Sequence, residues 1–232
     1  MNHKDINQWR ICTAIMASDT QDALAKMKAA STEADLLEIR LDAMQSFDLD
    51  VIIESSSLPL VVTYRDQDQG GFSDAACEKR ISALIKASHS GADFIDMELT
   101  VPADLRKEVF SRKRDETKVI ISHHFFEPSP FLDVEQMVDR VFEKGADLGK
   151  VIGYASDWPS NLDYLSLVQK KVSQGFPLIS FAMGMFGRPS RILSPLMGAP
   201  WTYASLSADQ KSAPGQISAS DMRRIWKDIY EH

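Results

Sequence analysis

A lysine, a pair of histidines and several arginines stand late in apolar segments of this chain, and together they could carry out imine chemistry on a carbonyl compound. Lys150 lies within ADLGKVIGYA (146–155), bracketed by Leu148, Val151 and Ile152, where a buried strand favours β-branched and small residues. An ammonium there must be accommodated by something nearby. In general, a lysine beside other cations and away from bulk water loses ammonium character and becomes an amine nucleophile toward carbonyls. SHHFF (122–126) offers His123 and His124 as proton shuttles, since imidazole titrates near neutrality. Adjacent strand residues point to opposite faces, so at most one of the two can share a pocket with Lys150, and the pattern leaves open which. Arginines close by could hold a carboxylate through paired N–H bonds. The combination points to Schiff-base chemistry on an anionic keto compound.

Other polar residues gather at the same ends of the apolar segments. Glu38, Arg40 and Asp42 end the second, Arg65 the third, and Asp96 and Glu98 the fourth. Arg188 and Arg191 follow the seventh; Lys211, Ser212 and Gln216 follow the eighth. Each also has a plainer role open to it. Glu38 and Arg40 stand two apart on one strand face and could be a structural ion pair. Asp96 and Glu98 could be scaffolding, and a lysine late in a strand could simply reach the rim.

The elements that must bring these residues together recur regularly. Strand-like segments span 10–17, 34–41, 58–65, 92–99, 118–126, 146–154, 177–184 and 200–206, with helical periodicity between most of them. Ser73, Asp133 and Ser218 read as helix caps, and Gly91, Gly145 and Gly175 as helix stops. The second crossover, DAMQSFDLDVIIESSS, allows only a short helix. The seventh, GRPSRILSPLMGA, carries two prolines and reads as a loop with a helical turn. Eight strand–helix units without a linker predict one α/β domain over residues 1–232, a (β/α)8 TIM barrel with its site at the C-terminal ends of the strands. An open doubly wound sheet would normally carry a glycine-rich phosphate loop early, and the first crossover, ASDTQDALA, has no glycine.

Composition narrows the function classes. The 232 residues are 44% hydrophobic and 25% charged, as in ordinary globular proteins, and the formal net charge of −7 argues against nucleic acid or an anionic membrane as partner. A local pocket can still be cationic. Cys12 and Cys77 have no metal-like or redox spacing and are expected to be unpaired in a reducing compartment. MNHKDINQWR lacks an apolar signal region and no apolar run reaches membrane-span length, which predicts a cytoplasmic protein.

The chain resembles the type I 3-dehydroquinate dehydratases of the shikimate pathway. The resemblance rests on LLEIRLD (36–42), TYRDQDQGG (63–71), SHHFF (122–126), ADLGKVIGYASD (146–157), MGMFGRPSR (183–191) and SAPGQIS (212–218), in that order. It implies a (β/α)8 barrel that removes water from 3-dehydroquinate, a small anionic substrate, to give 3-dehydroshikimate, with neither metal nor organic cofactor. Carried onto matching positions, it makes Lys150 the Schiff-base lysine and His124 the general acid and base. Arg191 becomes the substrate-carboxylate clamp, with Ser212 and Gln216 in a loop expected to close over it. Glu38, Arg40 and Arg65 bind ring hydroxyls and shape the pocket. Gln69 departs from the pattern: relatives carry an acidic residue there as partner of the histidine, and an amide can orient imidazole but cannot neutralise imidazolium. Two alternatives stand beside this reading: another lysine-dependent barrel, an aldolase or transaldolase, and a relative that binds ligand with impaired catalysis. A homodimer is compatible with such barrels, although no stretch reads as an interface.

Overall fold

Strand and helix alternate eight times over residues 9–207 and 213–231, which the computed structural model describes. The first half comprises β1 (Ile11–Ile15), α1 (Thr20–Ala30), β2 (Leu36–Arg40), α2 (Leu49–Glu54), β3 (Leu60–Thr63), α3 (Cys77–Ser90), β4 (Phe94–Glu98) and α4 (Ala103–Arg112). The second comprises β5 (Lys118–His124), α5 (Phe131–Glu143), β6 (Leu148–Tyr154), α6 (Asn161–Ser173), β7 (Leu178–Met183), α7 (Arg188–Leu193), β8 (Thr202–Ala204) and α8 (Ala219–Glu231). Hydrogen-bonded neighbours run β7-β6-β5-β4-β3-β2-β1-β8, each pair parallel. The sheet curls into a nearly closed (β/α)8 barrel, with β7 and β8 at its two edges.

Both faces of these strands are buried, which is why they read as continuous apolar runs rather than alternating ones. Cys12, Leu36, Val61, Ile120, Leu148 and Phe181 meet inside the barrel. The opposite parity, including Leu37, Ile39, Val62, Ile121 and Val151, packs outward against the helices. Lys150 therefore shares its inward parity with Leu148 and Ile152, and β5 is paired so that Ser122 stands beside Lys150 and His124 beside Ile152.

Local chemistry accounts for most helix boundaries. Ser218 caps α8 by accepting from the Asp221 N–H at 3.2 Å, as its position predicts. Ser73 and Asp133 do not cap: α3 starts later, behind Ala76, and α5 earlier, behind Pro130, whose ring pre-sets the turn into the helix. Gly91 ends α3 at φ +107°, a conformation that costs other residues, and Gly145 and Gly175 close α5 and α6 in the same way. The second crossover holds the expected short helix, of six residues. The seventh is more helical than its prolines suggested, because Pro189 enters α7 in its first turn and Pro195 opens a 3-10 turn, where no N–H is missed. Cys12 and Cys77 are unpaired, and among the described residues no helix is long and apolar enough to cross a membrane.

Two glycines let α5 and α6 lie close on β6. A Cβ at Gly149 would sit 2.9 Å from the Phe142 ring, and one at Gly153 would sit 1.9 Å from the Tyr164 hydroxyl. These close contacts press on the outer face of the strand whose inner face carries Lys150. Gly153→Ala is expected to destabilise the fold by about 1–3 kcal/mol through overpacking, measured by urea denaturation. An unchanged midpoint would mean that Tyr164 yields without cost.

Candidate active site

At the C-terminal ends of the strands a cavity opens to solvent, bounded by Glu38, Arg40, Arg65, Gln69, His124, Lys150, Arg191 and Gln216. Eight of the residues singled out from sequence therefore converge. Ser212 and Lys211 lie outside the described residues. Arg188 is exposed on α7 and does not line the cavity.

Lys150 is buried, and its Nζ donates to Glu38 Oε1 at 3.1 Å and to Asp96 Oδ2 at 2.9 Å. The sequence placed this amine among arginines and a few carboxylates; its two hydrogen-bond partners are both carboxylates, because β2 and β4 bring inward-facing acids within its reach. Glu38 also accepts from the Thr63 hydroxyl at 2.9 Å. Glu38 and Arg40 are thus not a pair with each other. Arg40 instead forms a two-pronged bond to Asp42, Nε to Oδ1 at 2.9 Å and Nη2 to Oδ2 at 2.7 Å.

Asp96 is the hub beneath the amine. It has no solvent exposure and accepts from Arg65 Nη2 at 2.7 Å and from the Ser122 hydroxyl at 2.5 Å as well as from Lys150. Burial alone would raise its pKa, but the charges of Arg65 and Lys150 outweigh burial and hold the carboxyl well below its usual range. Arg65 is held cationic by the converse balance: burial opposes the charge, and Asp96 and Glu98 more than offset it. Glu98 lies farther from Arg65, at 3.5 Å, and there burial prevails and raises the carboxyl.

The register resolves the histidine pair. His124 faces the cavity, while His123 turns outward, edge-on to the Phe125 ring at 4.7 Å. Desolvation, followed by the nearby charges of Arg65 and Lys150, pushes the His124 pKa well below 6.5, with Asp96 opposing too weakly to reverse it. At neutral pH the ring is therefore imidazole, a proton acceptor. Its Nδ1 is buried without a hydrogen-bond partner among the described residues, and the ring stacks on Phe126 at 6.3 Å. Gln69 was expected to orient the ring. Its Oε1 instead accepts the main-chain N–H of His124 at 2.8 Å, so the amide holds the end of β5 and leaves the imidazole to other contacts.

Arg191, on α7, is buried with one donor used: Nη1 reaches the Tyr203 carbonyl at 3.2 Å. Its guanidinium lies 4.3 Å from the Phe181 ring centroid, and Nε and Nη2 have no protein partner among the described residues. Burial without a facing carboxylate pulls its pKa down to about 9. A cation in this position suits an incoming anion. Gln216 reaches the same cavity from the loop before α8.

Three inward residues escaped the sequence reading: Thr63, Ser122 and Tyr203. The signal for the first two was parity, since each stands two residues before a residue already singled out, Arg65 and His124. Tyr203, in PWTYASL, had no charged neighbour to draw attention to it.

The model of the type I 3-dehydroquinase family matches residues 11–232. The chain is 34% identical over 223 residues to a 3-dehydroquinate dehydratase of Pyrococcus abyssi, covering 95% of this chain and 99% of the relative. It is 32% identical over 224 residues to one from Dehalococcoides mccartyi, covering 96% and 97%. A solved type I 3-dehydroquinate dehydratase from Clostridium difficile shares the fold, with a TM-score of 0.84 at 24% identity over 97% of this chain and 93% of that one.

Arg65 neutralises two buried carboxylates at once, so its loss should be felt in stability before chemistry. Arg65→Met is expected to cost about 3–5 kcal/mol in equilibrium unfolding, the penalty for stranding a buried charge. A loss below about 1 kcal/mol would show that Lys150 and Ser122 alone suffice for Asp96.

Proposed function

The chain belongs to the type I 3-dehydroquinase family, a family of hydro-lyases, and from that premise we propose that it removes water from 3-dehydroquinate through an imine on Lys150. The observation that carries this reading is one cavity flanked by adjacent strands, holding a lysine amine and a neutral imidazole, with a guanidinium beside it that has donors to spare.

In this reading Arg191 takes the substrate carboxylate on its free Nε and Nη2, which sets the ring over Lys150. Glu38 and Arg40 meet the ring hydroxyls, and Gln216 meets the carboxylate end. Arg65 acts from below, holding Asp96 and hence the amine. His124 takes one proton from the Lys150 ammonium so that Nζ can add to the ketone carbon, and a second from the nitrogen once the bond has formed; it hands both to the ketone oxygen. Loss of the ketone oxygen as water then leaves a protonated imine, an electron sink that acidifies the hydrogens at C2.

His124, again imidazole, removes a C2 proton and the electron pair becomes the enamine double bond. The enamine expels the C1 hydroxyl, which leaves as water with the proton from imidazolium. A water then adds to the imine carbon and releases 3-dehydroshikimate, its two protons returning to the nitrogen so that Lys150 is again ammonium. Two waters are released and one consumed, so the net change is loss of one. The amide of Gln69 adds no charge to this cycle; it fixes the strand end from which His124 projects.

Among the described residues the cavity wall offers an isolated buried guanidinium rather than a glycine-rich phosphate loop, which favours this reading over a sugar-phosphate aldolase.

Borohydride added to the protein with 3-dehydroquinate should leave a reduced adduct on Lys150, located by intact mass and peptide mapping, and none on Lys150→Ala. A folded, ligand-saturated protein that gave no adduct would sink the imine. The pH profile is a separate check. Neutral His124 is the active base, and its pKa lies below the ordinary value, so kcat/KM should hold on acidification past pH 6.5 and fall only lower. An acid limb centred above pH 6.5 would assign the proton removal to another group.

A further inference from the structure

The nitrogen on which the proposed chemistry turns lies over an aromatic face. Lys150 Nζ is 4.2 Å from the centroid of the Tyr203 ring, well within the distance at which a cation is attracted to the electron-rich face of an aromatic ring. We propose that Tyr203 is a positioning residue whose ring face stabilises the positive charge on the Lys150 nitrogen, first as ammonium and then as protonated imine. The second half of the proposal rests on the imine reading above.

Hydrogen counting shows what the ring adds to the carboxylates, whose Coulombic attraction remains when the imine forms but whose hydrogen bonds do not all survive. As ammonium, Nζ has three N–H donors and spends two of them on Glu38 and Asp96. As a protonated imine it has one. At least one carboxylate must therefore lose its hydrogen bond when the imine forms, just when the positive charge becomes the electron sink. Attraction to a ring face needs no hydrogen, so it persists across the step.

The ring is also built in place. Tyr203 is buried and stands opposite Cys12 in the β1–β8 pairing, and its carbonyl accepts from Arg191 Nη1. The guanidinium proposed to clamp the substrate is thus bonded to the strand whose ring lies against the amine, which ties the two ends of the site to one main-chain segment. Burial, then Glu38 and Cys12, push the phenol well above its ordinary range, so the ring stays neutral and presents a face rather than a phenolate. Among the described residues the Tyr203 hydroxyl makes no hydrogen bond of full geometry, and the groups nearest to it are Cys12 and Trp201 rather than Lys150. The face, not the hydroxyl, is what Lys150 uses.

The test compares Tyr203→Phe, Tyr203→Leu and a series with mono-, di- and trifluorinated phenylalanine incorporated at position 203. The fluorines drain the ring face with little change of shape. The readout is the rate of borohydride trapping in saturating 3-dehydroquinate, with kcat and its pH profile measured alongside, and unfolding midpoints compared across the series. Tyr203→Phe is expected to trap within about threefold of the parent, and the fluorinated series to fall stepwise by about tenfold in all, at constant midpoint. Tyr203→Leu should lose at least as much. Trapping that is flat across the series would overturn the proposal and leave the ring as packing. So would a collapse in Tyr203→Phe with its fold intact, which would transfer the role to the hydroxyl. A parent protein that gives no adduct at all would instead remove the imine reading, and this proposal with it.

Discussion

Everything at the mouth of this barrel depends on burying one lysine, three arginines and four acidic side chains within one polar layer. Each ion costs roughly several kcal/mol to take out of water, and that cost is recovered only where counter-charges and hydrogen bonds meet it at close range. Asp96 does most of this work. Arg65, Lys150 and Ser122 converge on its two oxygens at 2.5–2.9 Å, so β3, β4, β5 and β6 are locked together by one carboxylate. Parallel strands at one depth are what make such a meeting possible, because equivalent inward positions on neighbouring strands fall side by side.

The same layer separates charge by height. Acids lie beneath the amine, and Arg191 lies to one side with donors unspent. A chain with a net charge of −7 can therefore present a cationic recess to a small anion. His124 sits where the cations prevail, and that placement, together with desolvation, keeps it neutral. A carboxylate at position 69 would have pulled in the other direction. The amide found there spends its oxygen on the main chain of His124, so it acts on position without acting on charge.

Position and charge are thus set by different groups throughout the site. Gly149 and Gly153 allow α5 and α6 to press on β6, and Gln69 fixes the end of β5. Arg40 and Asp42 brace the loop after β3, where Asp42 also accepts the Arg65 and Phe72 N–H groups at 3.1 and 3.2 Å. None of these contacts reacts, yet each limits where a reacting atom can be.

Much of this was legible in the residues alone. Apolar runs bounded by helical periodicity are local patterns, so the eight strand–helix units and the single barrel followed from the chain as written. Polar residues late in those runs are conspicuous because they contradict their surroundings, and for that reason Glu38, Arg40, Arg65, His124, Lys150, Arg191 and Gln216 could be named before any of them had a location. What faces what was not legible. Which of His123 and His124 looks inward depends on register with β6. Lys150 meets partners 112 and 54 residues away in sequence, and these proved to be Glu38 and Asp96, which local reading had given to ring hydroxyls and to scaffolding. Tyr203 carries no charge to betray it, and only closure of the sheet through β1 and β8 lays its ring against the amine. Sequence by itself determined the elements and the chemical vocabulary, because both are encoded in neighbouring residues. Tertiary structure decided the pairings, because the energy of a buried charge depends on groups that become neighbours only when the barrel closes.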